Sequence, residues 1–172
     1  MATGYSMERE EAQLRALAGW ALGALVVTGR HHTAGAMSLL REAHAAGTAV
    51  VEIWDHPDGA VEGDGFARIG FDHHAIGRSM ARHLLDQGHR ALAYVDSGVA
   101  EDFRAHVRGE GFVAEAEAAG AEVLLIRAAT GDAFDAGREA LTQVTRGHVT
   151  AAAFANDTAL RVCQGGARRG AA

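Results

Sequence analysis

Six short, mainly apolar segments recur along this chain and narrow its possible folds more than any other feature. They read ALVVTGR, AVVEIWD, ARIGFD, ALAYVD, EVLLIR and TAAAFA, and they begin at residues 24, 49, 67, 91, 122 and 150. Each segment is too short for a typical helix and is apolar on both faces, which is typical of strands covered on both sides in a parallel sheet. The sequence therefore predicts six parallel strands.

Amphipathic or alanine-rich stretches fill most of the gaps between these strands. Helices are predicted at about residues 7–17, 34–46, 76–87, 102–119 and 134–145, and several of them end at a glycine. Strands that alternate with helices in this way form parallel sheets with right-handed crossovers and helices on both faces, so the predicted fold class is α/β. The connection at 56–66, HPDGAVEGDGF, has no helical pattern, and the pattern alone places a break between two lobes there.

The clearest helix lies within FDHHAIGRSMARHLLDQGHR, residues 71–90, where apolar residues recur at four-residue intervals. Arg82 and Asp86 are expected to pair on the opposite, solvated face. Asp72 is predicted to cap the helix, which brings the positive end of the helix next to Asp72 and His73. Two interpretations stay open for His73, a contact to a bound ligand or a solvated helix start.

The sequence has no arrangement typical of a metal, nucleotide or catalytic site. Adjacent histidines such as His73 and His74 point about 100° apart on a helix and cannot easily bind one ion, and no HExxH motif is present. The glycines form neither GxGxxG nor GxxxxGK, and no Ser-His-Asp or Cys-His order stands at a nucleophile elbow. We therefore predict that the protein is not an enzyme and uses neither a metal nor a cofactor.

The charge balance argues against direct nucleic-acid binding by this chain. Its 22 acidic side chains outnumber 16 lysines and arginines, for a net charge of −6, and only the short ARRG near the end is basic. The single cysteine, Cys163, excludes an internal disulfide and suits a reducing compartment. With no leader-like N-terminus and no apolar run near the roughly 20 residues of a membrane span, the chain is predicted to be soluble, cytoplasmic and without membrane contact.

Polar side chains follow nearly every predicted strand. Arg30 and His31 follow the first strand, Asp55 the second, Asp72 and His73 the third, Asp96 the fourth and Asn156 the sixth. Ligands of open parallel sheets bind beyond the carboxyl ends of the strands, so these residues predict a ligand-binding rim. Two interpretations stay open for Trp54, stacking on a sugar ring or burial in the core, and its position within a parallel strand favours the core.

Three motifs occur in order along the chain: IGFDHHAIGRSMARHLLDQGHRALAYVD at 69–96, RGEGF at 108–112 and FANDTAL at 154–160. Together they resemble the effector-binding core of the LacI/GalR family of transcriptional repressors, and the resemblance covers about residues 3–160. The stretches TGRHHT and VVEIWDHP further resemble the gluconate-utilisation repressors within that family.

The resemblance implies a two-lobed fold like that of type I periplasmic binding proteins, with an effector held between the lobes. It assigns Asp55 to an acidic ligand contact from the first lobe, Arg108 to the arginine that reaches the effector, and Asn156 to an asparagine of the second lobe. The predicted ligand-binding set is completed by Asp72, His73 and His31. Carboxylates and amides bind hydroxyl groups and a guanidinium binds a carboxylate, so the predicted effector is a gluconate-like sugar acid or a sugar.

Compared with the family pattern, the chain is expected to be a fragment, incomplete at both ends. Residues 1–72 are expected to form a partial N-terminal lobe and residues 73–172 a partial C-terminal lobe, with the tail RVCQGGARRGAA in place of the expected continuation. The family's helix-turn-helix domain has no counterpart here, so operator DNA is expected to bind only through a headpiece missing from this chain, in a complete protein that is a homodimer.

Two departures from the family pattern bear on the expected function. The family's usual asparagine after the aspartate is His73 here, and Phe154 stands two residues before Asn156 rather than three.

The preferred function is the sensing core of a repressor. The alternative is a sugar-binding protein of a transport system with the same fold.

Overall fold

The chain folds into two compact units, Met1–Asp72 and His73–Ala172, which we call unit 1 and unit 2. The computed structural model describes residues 6–56, 64–127, 133–146, 148–156 and 160. Cys163 and the rest of the tail from residue 161 therefore lie outside the described residues.

Unit 1 is a three-stranded parallel sheet with two helices packed on it. Its elements are α1 (Met7–Leu17), β1 (Ala24–Thr28), α2 (Ala34–Ala45), β2 (Ala49–Asp55) and β3 (Ala67–Phe71), and the strand order is β1-β2-β3. Side-chain oxygens cap both helices, Ser6 by accepting from the Arg9 amide and Thr33 by accepting from the Ala36 amide. The core joins buried apolar residues from both helices and two of the strands, Leu14, Val27, Leu40 and Val50.

The break predicted at 56–66 is wrong. β3 pairs with β2 in parallel, with Glu52 opposite Arg68 and Asp55 opposite Phe71, so the strands on either side of this connection share one sheet. The two units divide after Asp72 instead. Turn-rich composition cannot by itself distinguish a connection within a sheet from a connection between two units.

Unit 2 has a second parallel sheet with helices on both faces. Its elements are α3 (His73–Asp86), β4 (Ala91–Asp96), α4 (Phe103–Ala118), β5 (Glu122–Arg127), α5 (Ala133–Arg146) and β6 (Ala151–Phe154), in the strand order β5-β4-β6. Tyr94 and Phe112 belong to the core that α3 and α4 cover, and Val95 and Ile126 belong to the opposite core with α5. All six predicted strands are present and paired in parallel, which confirms the α/β class.

Helices α3 and α4 approach each other so closely that their contact requires glycine. A Cβ added at Gly77 would lie 1.9 Å from the Arg108 carbonyl oxygen, and one added at Gly111 would lie 2.1 Å from the carbonyl oxygen of His74. The charged face of α3 also differs from the prediction, because Arg82 binds Glu115 of α4 at 2.8 Å.

Candidate functional site

Arg108 is the centre of a polar cluster at one end of the unit 2 sheet. Its Nη1 lies 3.0 Å from Nδ1 of His73, at the start of α3, and its Nη2 donates to the carbonyl oxygen of Ala155 at 2.9 Å. Ala155 directly follows β6 and precedes Asn156, and Asp72 precedes His73. The structure thus brings Arg108 and His73 into contact at the strand end where Asn156 stands.

His73 occupies a buried position, with 9% of its surface exposed, and α3 begins at this residue rather than near residue 76. The interpretation of His73 as a solvated helix start is therefore wrong. Because a guanidinium can only donate hydrogen bonds, Nδ1 of His73 must accept from Arg108, which places the proton of a neutral ring on Nε2. A ligand contact by His73 stays a prediction.

Tyr94 supports this cluster from within the core. Its side chain is fully buried, and its hydroxyl donates to the carbonyl oxygen of Ala105 at 2.7 Å, in the first turn of α4. Burial raises the pKa of Tyr94 to about 12, although the nearby charge of Arg108 acts in the opposite direction. The phenol therefore stays protonated at neutral pH and ties β4 to the helix that carries Arg108.

The carboxyl end of β4 is a second polar position in unit 2. Asp96 is buried there, and its Oδ2 lies 3.4 Å from Nε2 of His106 on α4. Asp102, also buried, caps α4 by accepting from the Ala105 amide at 3.2 Å. These contacts orient the first two turns of α4, from which Arg108 projects.

In unit 1, Asp55 ends β2 as a buried carboxylate whose Oδ2 accepts from the backbone amide of Arg30 at 3.1 Å. Arg30 and His31 belong to the segment between β1 and α2, which we call the β1–α2 loop, residues 29–33, and His31 is exposed there. The Arg30 amide thus holds the carboxylate in place, and the strand ends of β1 and β2 carry adjacent polar groups that can bind hydroxyls.

Trp54 is not a core residue, contrary to the interpretation that the sequence favours. Half of its surface is exposed, its ring centroid lies 6.2 Å from that of Phe71, and its φ is 82°. A left-handed tryptophan is strained, and such positions concentrate at functional sites. Gly70 on β3 is needed beside it, since a Cβ there would lie 2.4 Å from the backbone carbon of Asp55.

A buried ionic cluster in unit 1 was not predicted from the sequence. It joins Glu10 of α1, His32 of the β1–α2 loop, Glu52 of β2, Arg68 of β3 and Asp64 just before β3. A charge in the middle of each of two mainly apolar strands, AVVEIWD and ARIGFD, was the available signal, because buried charges require partners.

Among the described residues, no group of three or more histidine, cysteine, aspartate or glutamate side chains could hold a metal ion. In the same part of the chain, every helix is too short or too polar to cross a membrane.

Comparison with known proteins gives consistent matches. A family model described as periplasmic binding proteins and sugar binding domain of LacI family matches residues 1–169. The HTH-type transcriptional regulator GntR of Escherichia coli (strain K12) is 26% identical over 143 residues, which are 83% of this chain and 40% of that protein. The chain therefore spans less than half the length of this curated relative.

Two solved structures show the same fold. A LacI-family transcriptional regulator from Silicibacter pomeroyi matches with a TM-score of 0.82 at 27% identity, over 100% of this chain and 50% of that one. A periplasmic solute binding protein of an ABC transporter from Actinobacillus succinogenes, with bound D-allose, matches with a TM-score of 0.77 at 16% identity, over 99% of this chain and 62% of that one. These matches confirm the type I periplasmic-binding-protein-like fold.

Proposed function

The chain belongs to the family of periplasmic binding proteins and LacI-family sugar-binding domains, and on this basis we propose that it is the effector-sensing core of a LacI-type transcriptional repressor. Its effector is a sugar acid of the gluconate type. The regulator GntR among its relatives and the regulator from Silicibacter pomeroyi support the regulatory role over transport.

The fixed position of Arg108 is the main reason for proposing an anionic effector. Contacts to His73 and to the Ala155 carbonyl hold its guanidinium in one orientation, so little side-chain entropy is lost when it binds a carboxylate. The N-terminus of α3, which begins at His73, adds a positive partial charge at the same place. Asn156 supplies an amide that binds hydroxyls, and Asp72 lies beside the helix start.

Unit 1 supplies the contacts to the other end of the effector in this proposal. Asp55 repels the carboxylate of a sugar acid and therefore binds its hydroxyl groups, as carboxylates commonly do. The exposed ring of Trp54, which precedes Asp55, offers a stacking surface, and His31, which follows the Arg30 amide bound to Asp55, offers a donor. Units 1 and 2 then correspond to partial N-terminal and C-terminal lobes, residues 1–72 and 73–172.

In this role the protein is non-enzymatic and cytoplasmic. It uses no cofactor and acts as a homodimer whose separate headpiece binds operator DNA. Effector binding shifts the equilibrium between conformations that differ in DNA affinity.

One observation favours a second candidate function. The solute binding protein with bound D-allose has the same fold, so a sugar-binding protein of a transport system is the alternative. The coding DNA upstream of this sequence distinguishes the two, because a helix-turn-helix segment supports the repressor and a secretory signal peptide supports the transport protein.

The experiment is a calorimetric titration of the protein that carries this sequence, with gluconate as the ligand. Arg108→Ala should weaken binding by about 2 to 4 kcal/mol, because a charge-assisted contact to the carboxylate is lost. Arg78→Ala is the matched control, since Arg78 lies on α3 with half of its side chain exposed and binds Glu115. An Arg108→Ala variant that binds gluconate as tightly as Arg78→Ala would contradict the proposal.

A further inference from the structure

The side chain of His32, in the β1–α2 loop of unit 1, is completely buried and contacts two other elements of the unit. No part of the His32 side chain is exposed, and its two ring nitrogens face two different carboxylates. Nδ1 lies 2.7 Å from Oε2 of Glu10 on α1, and Nε2 lies 3.5 Å from Oε1 of Glu52 on β2. The ring therefore stands between a helix and the central strand of the sheet.

The geometry determines which protonation state of the ring fits. An ionised carboxylate can only accept hydrogen bonds, and a neutral imidazole has one donor nitrogen and one acceptor nitrogen. A neutral His32 would present a lone pair to one of its two carboxylates. The imidazolium, which carries a proton on each nitrogen, suits both the contact of Nδ1 with Glu10 at 2.7 Å and the ion-pair distance of 3.5 Å between Nε2 and Glu52, where no hydrogen bond forms.

The charges around the ring favour the same state. Glu52, whose side chain is 1% exposed, also accepts from Nε of Arg68 at 2.6 Å, and Arg68 binds Asp64 as well. Arg68 thus binds the carboxylates of Glu52 and Asp64, and the charge of Arg41 also acts on Asp64, whereas Glu10 faces the ring of His32. An imidazolium places a positive charge between Glu10 and Glu52. Buried carboxylates need such compensation.

The β1–α2 loop carries His31, which is proposed to bind the ligand, and it also contacts Asp55. Besides His32, it contains Thr33, whose hydroxyl binds the carboxylate of Glu11 on α1 and accepts from the Ala36 amide at the start of α2. It also contains Arg30, whose backbone amide donates to Asp55. Two consecutive glutamates of α1 therefore hold two consecutive residues of the loop whose Arg30 amide orients Asp55.

We infer that His32 is a positioning residue that is charged at neutral pH, an imidazolium held between Glu10 and Glu52 that fixes the β1–α2 loop and through it the carboxylate of Asp55. The charge and the loop contact are properties of unit 1 alone. The consequence for effector affinity rests on the proposed function.

The direction in which the pKa of His32 is shifted agrees with this assignment. Burial alone lowers the pKa of His32, but the hydrogen bond and charge of Glu10 and the charge of Glu52 outweigh burial, so the pKa lies above the ordinary histidine value. A raised folded-state pKa means that the stabilising contribution is complete below the unfolded value, about pH 6.5. This contribution is lost as the pH rises through the raised folded-state value.

The experiment is a pH titration of the whole protein followed by NMR, with long-range proton–nitrogen correlations for the imidazole rings. At pH 7 both nitrogens of His32 should be protonated, and the backbone amide shift of Arg30 should titrate with the same midpoint as the His32 ring. A neutral His32 ring at pH 7 would overturn the inference. So would an Arg30 amide shift that does not change as His32 titrates.

Two variants sharpen this test. Glu10→Gln removes one of the two charges facing the ring, so it should lower the pKa of His32 while leaving a group that can still accept from the ring. His83→Gln is the control, since His83 is an exposed residue of α3 that contacts Gln87, and this change should leave the Arg30 amide titration unaltered. If the titration midpoint of His32 is unchanged in Glu10→Gln, Glu10 does not hold the ring in its charged state and the inference is contradicted.

A gluconate titration across the same pH range separates the two proposals. If His32 fixes Asp55 and gluconate is the effector, affinity should fall as the pH rises through the His32 midpoint. If gluconate fails to bind at any pH while the ring and the Arg30 amide still titrate together, the proposed function is wrong, but the charge of His32 and its contact with the loop are supported. If gluconate binds with no change in affinity across that midpoint, the positioning role of His32 is wrong.

Discussion

Replacing Gly77 by alanine perturbs the closest approach between α3 and α4. A Cβ at this position would lie 1.9 Å from the carbonyl oxygen of Arg108 and 2.9 Å from the amide nitrogen of Phe112. The first distance is 1.5 Å short of the 3.4 Å at which ordinary van der Waals contact begins. Because the obstacle is helix backbone, which cannot rotate away as a side chain can, the two helices have to separate.

Two opposing contributions set the size of the effect. Alanine favours a helix over glycine by about 1 kcal/mol, whereas overpacking costs about 1 to 3 kcal/mol and occasionally more. Separation of the helices also loosens the contacts of Ala81 and Phe112, which are both fully buried. With the overpacking cost at its upper end, about 3 kcal/mol, less the gain of about 1 kcal/mol in helix propensity, we expect Gly77→Ala to lower the free energy of unfolding of unit 2 by about 2 kcal/mol.

Native-state hydrogen exchange of the β4 amides measures this change for unit 2 alone. These amides lie in the central strand of the sheet, so a loss of about 2 kcal/mol should speed their exchange roughly thirty-fold. Ser79→Ala, an exposed change on the same helix, should leave β4 exchange nearly unchanged. Exchange in Gly77→Ala that is as slow as in Ser79→Ala would refute the argument from close backbone contact.

Two further predictions concern the support of α4. Tyr94→Phe should lower the free energy of unfolding by about 1 kcal/mol, because the Ala105 carbonyl loses a buried donor; chemical denaturation measures this, and an unchanged midpoint would contradict it. Asp102→Ala should cost about 1 kcal/mol through loss of the helix cap, whereas Asp102→Asn, which keeps a capping oxygen, should cost much less; equal losses in the two variants would show that capping is not the cause.

The strands and the fold class could be predicted from the sequence because each strand is a local signal. A short segment that is apolar on both faces needs cover on both sides, and this requirement holds wherever the segment lies in the chain. The apolar spacing alone begins α3 near residue 76, but the helix begins at His73, directly after the predicted cap Asp72, and His73 contacts Arg108. That contact joins residues 35 positions apart, which helix periodicity cannot show.

The pairing of charges was the least predictable feature. The four-residue spacing of Arg82 and Asp86 predicts a pair within one helix, yet Arg82 binds Glu115 of α4, because the close approach of the helices brings a carboxylate within reach. In unit 1, the partners Glu52 and Arg68 become visible only once the register of β2 and β3 is known. Sequence spacing therefore located polar strand ends but not the contacts among them.

The central claim, that the effector is a sugar acid, is tested most directly by calorimetric titration of the protein that carries this sequence with gluconate and with glucose. The two ligands have similar size and hydroxyl content and differ in the carboxylate that Arg108 is proposed to bind. We predict that gluconate binds at least about tenfold more tightly, which corresponds to about 1.4 kcal/mol. Equal affinity for the two ligands, or tighter binding of glucose, would contradict the claim.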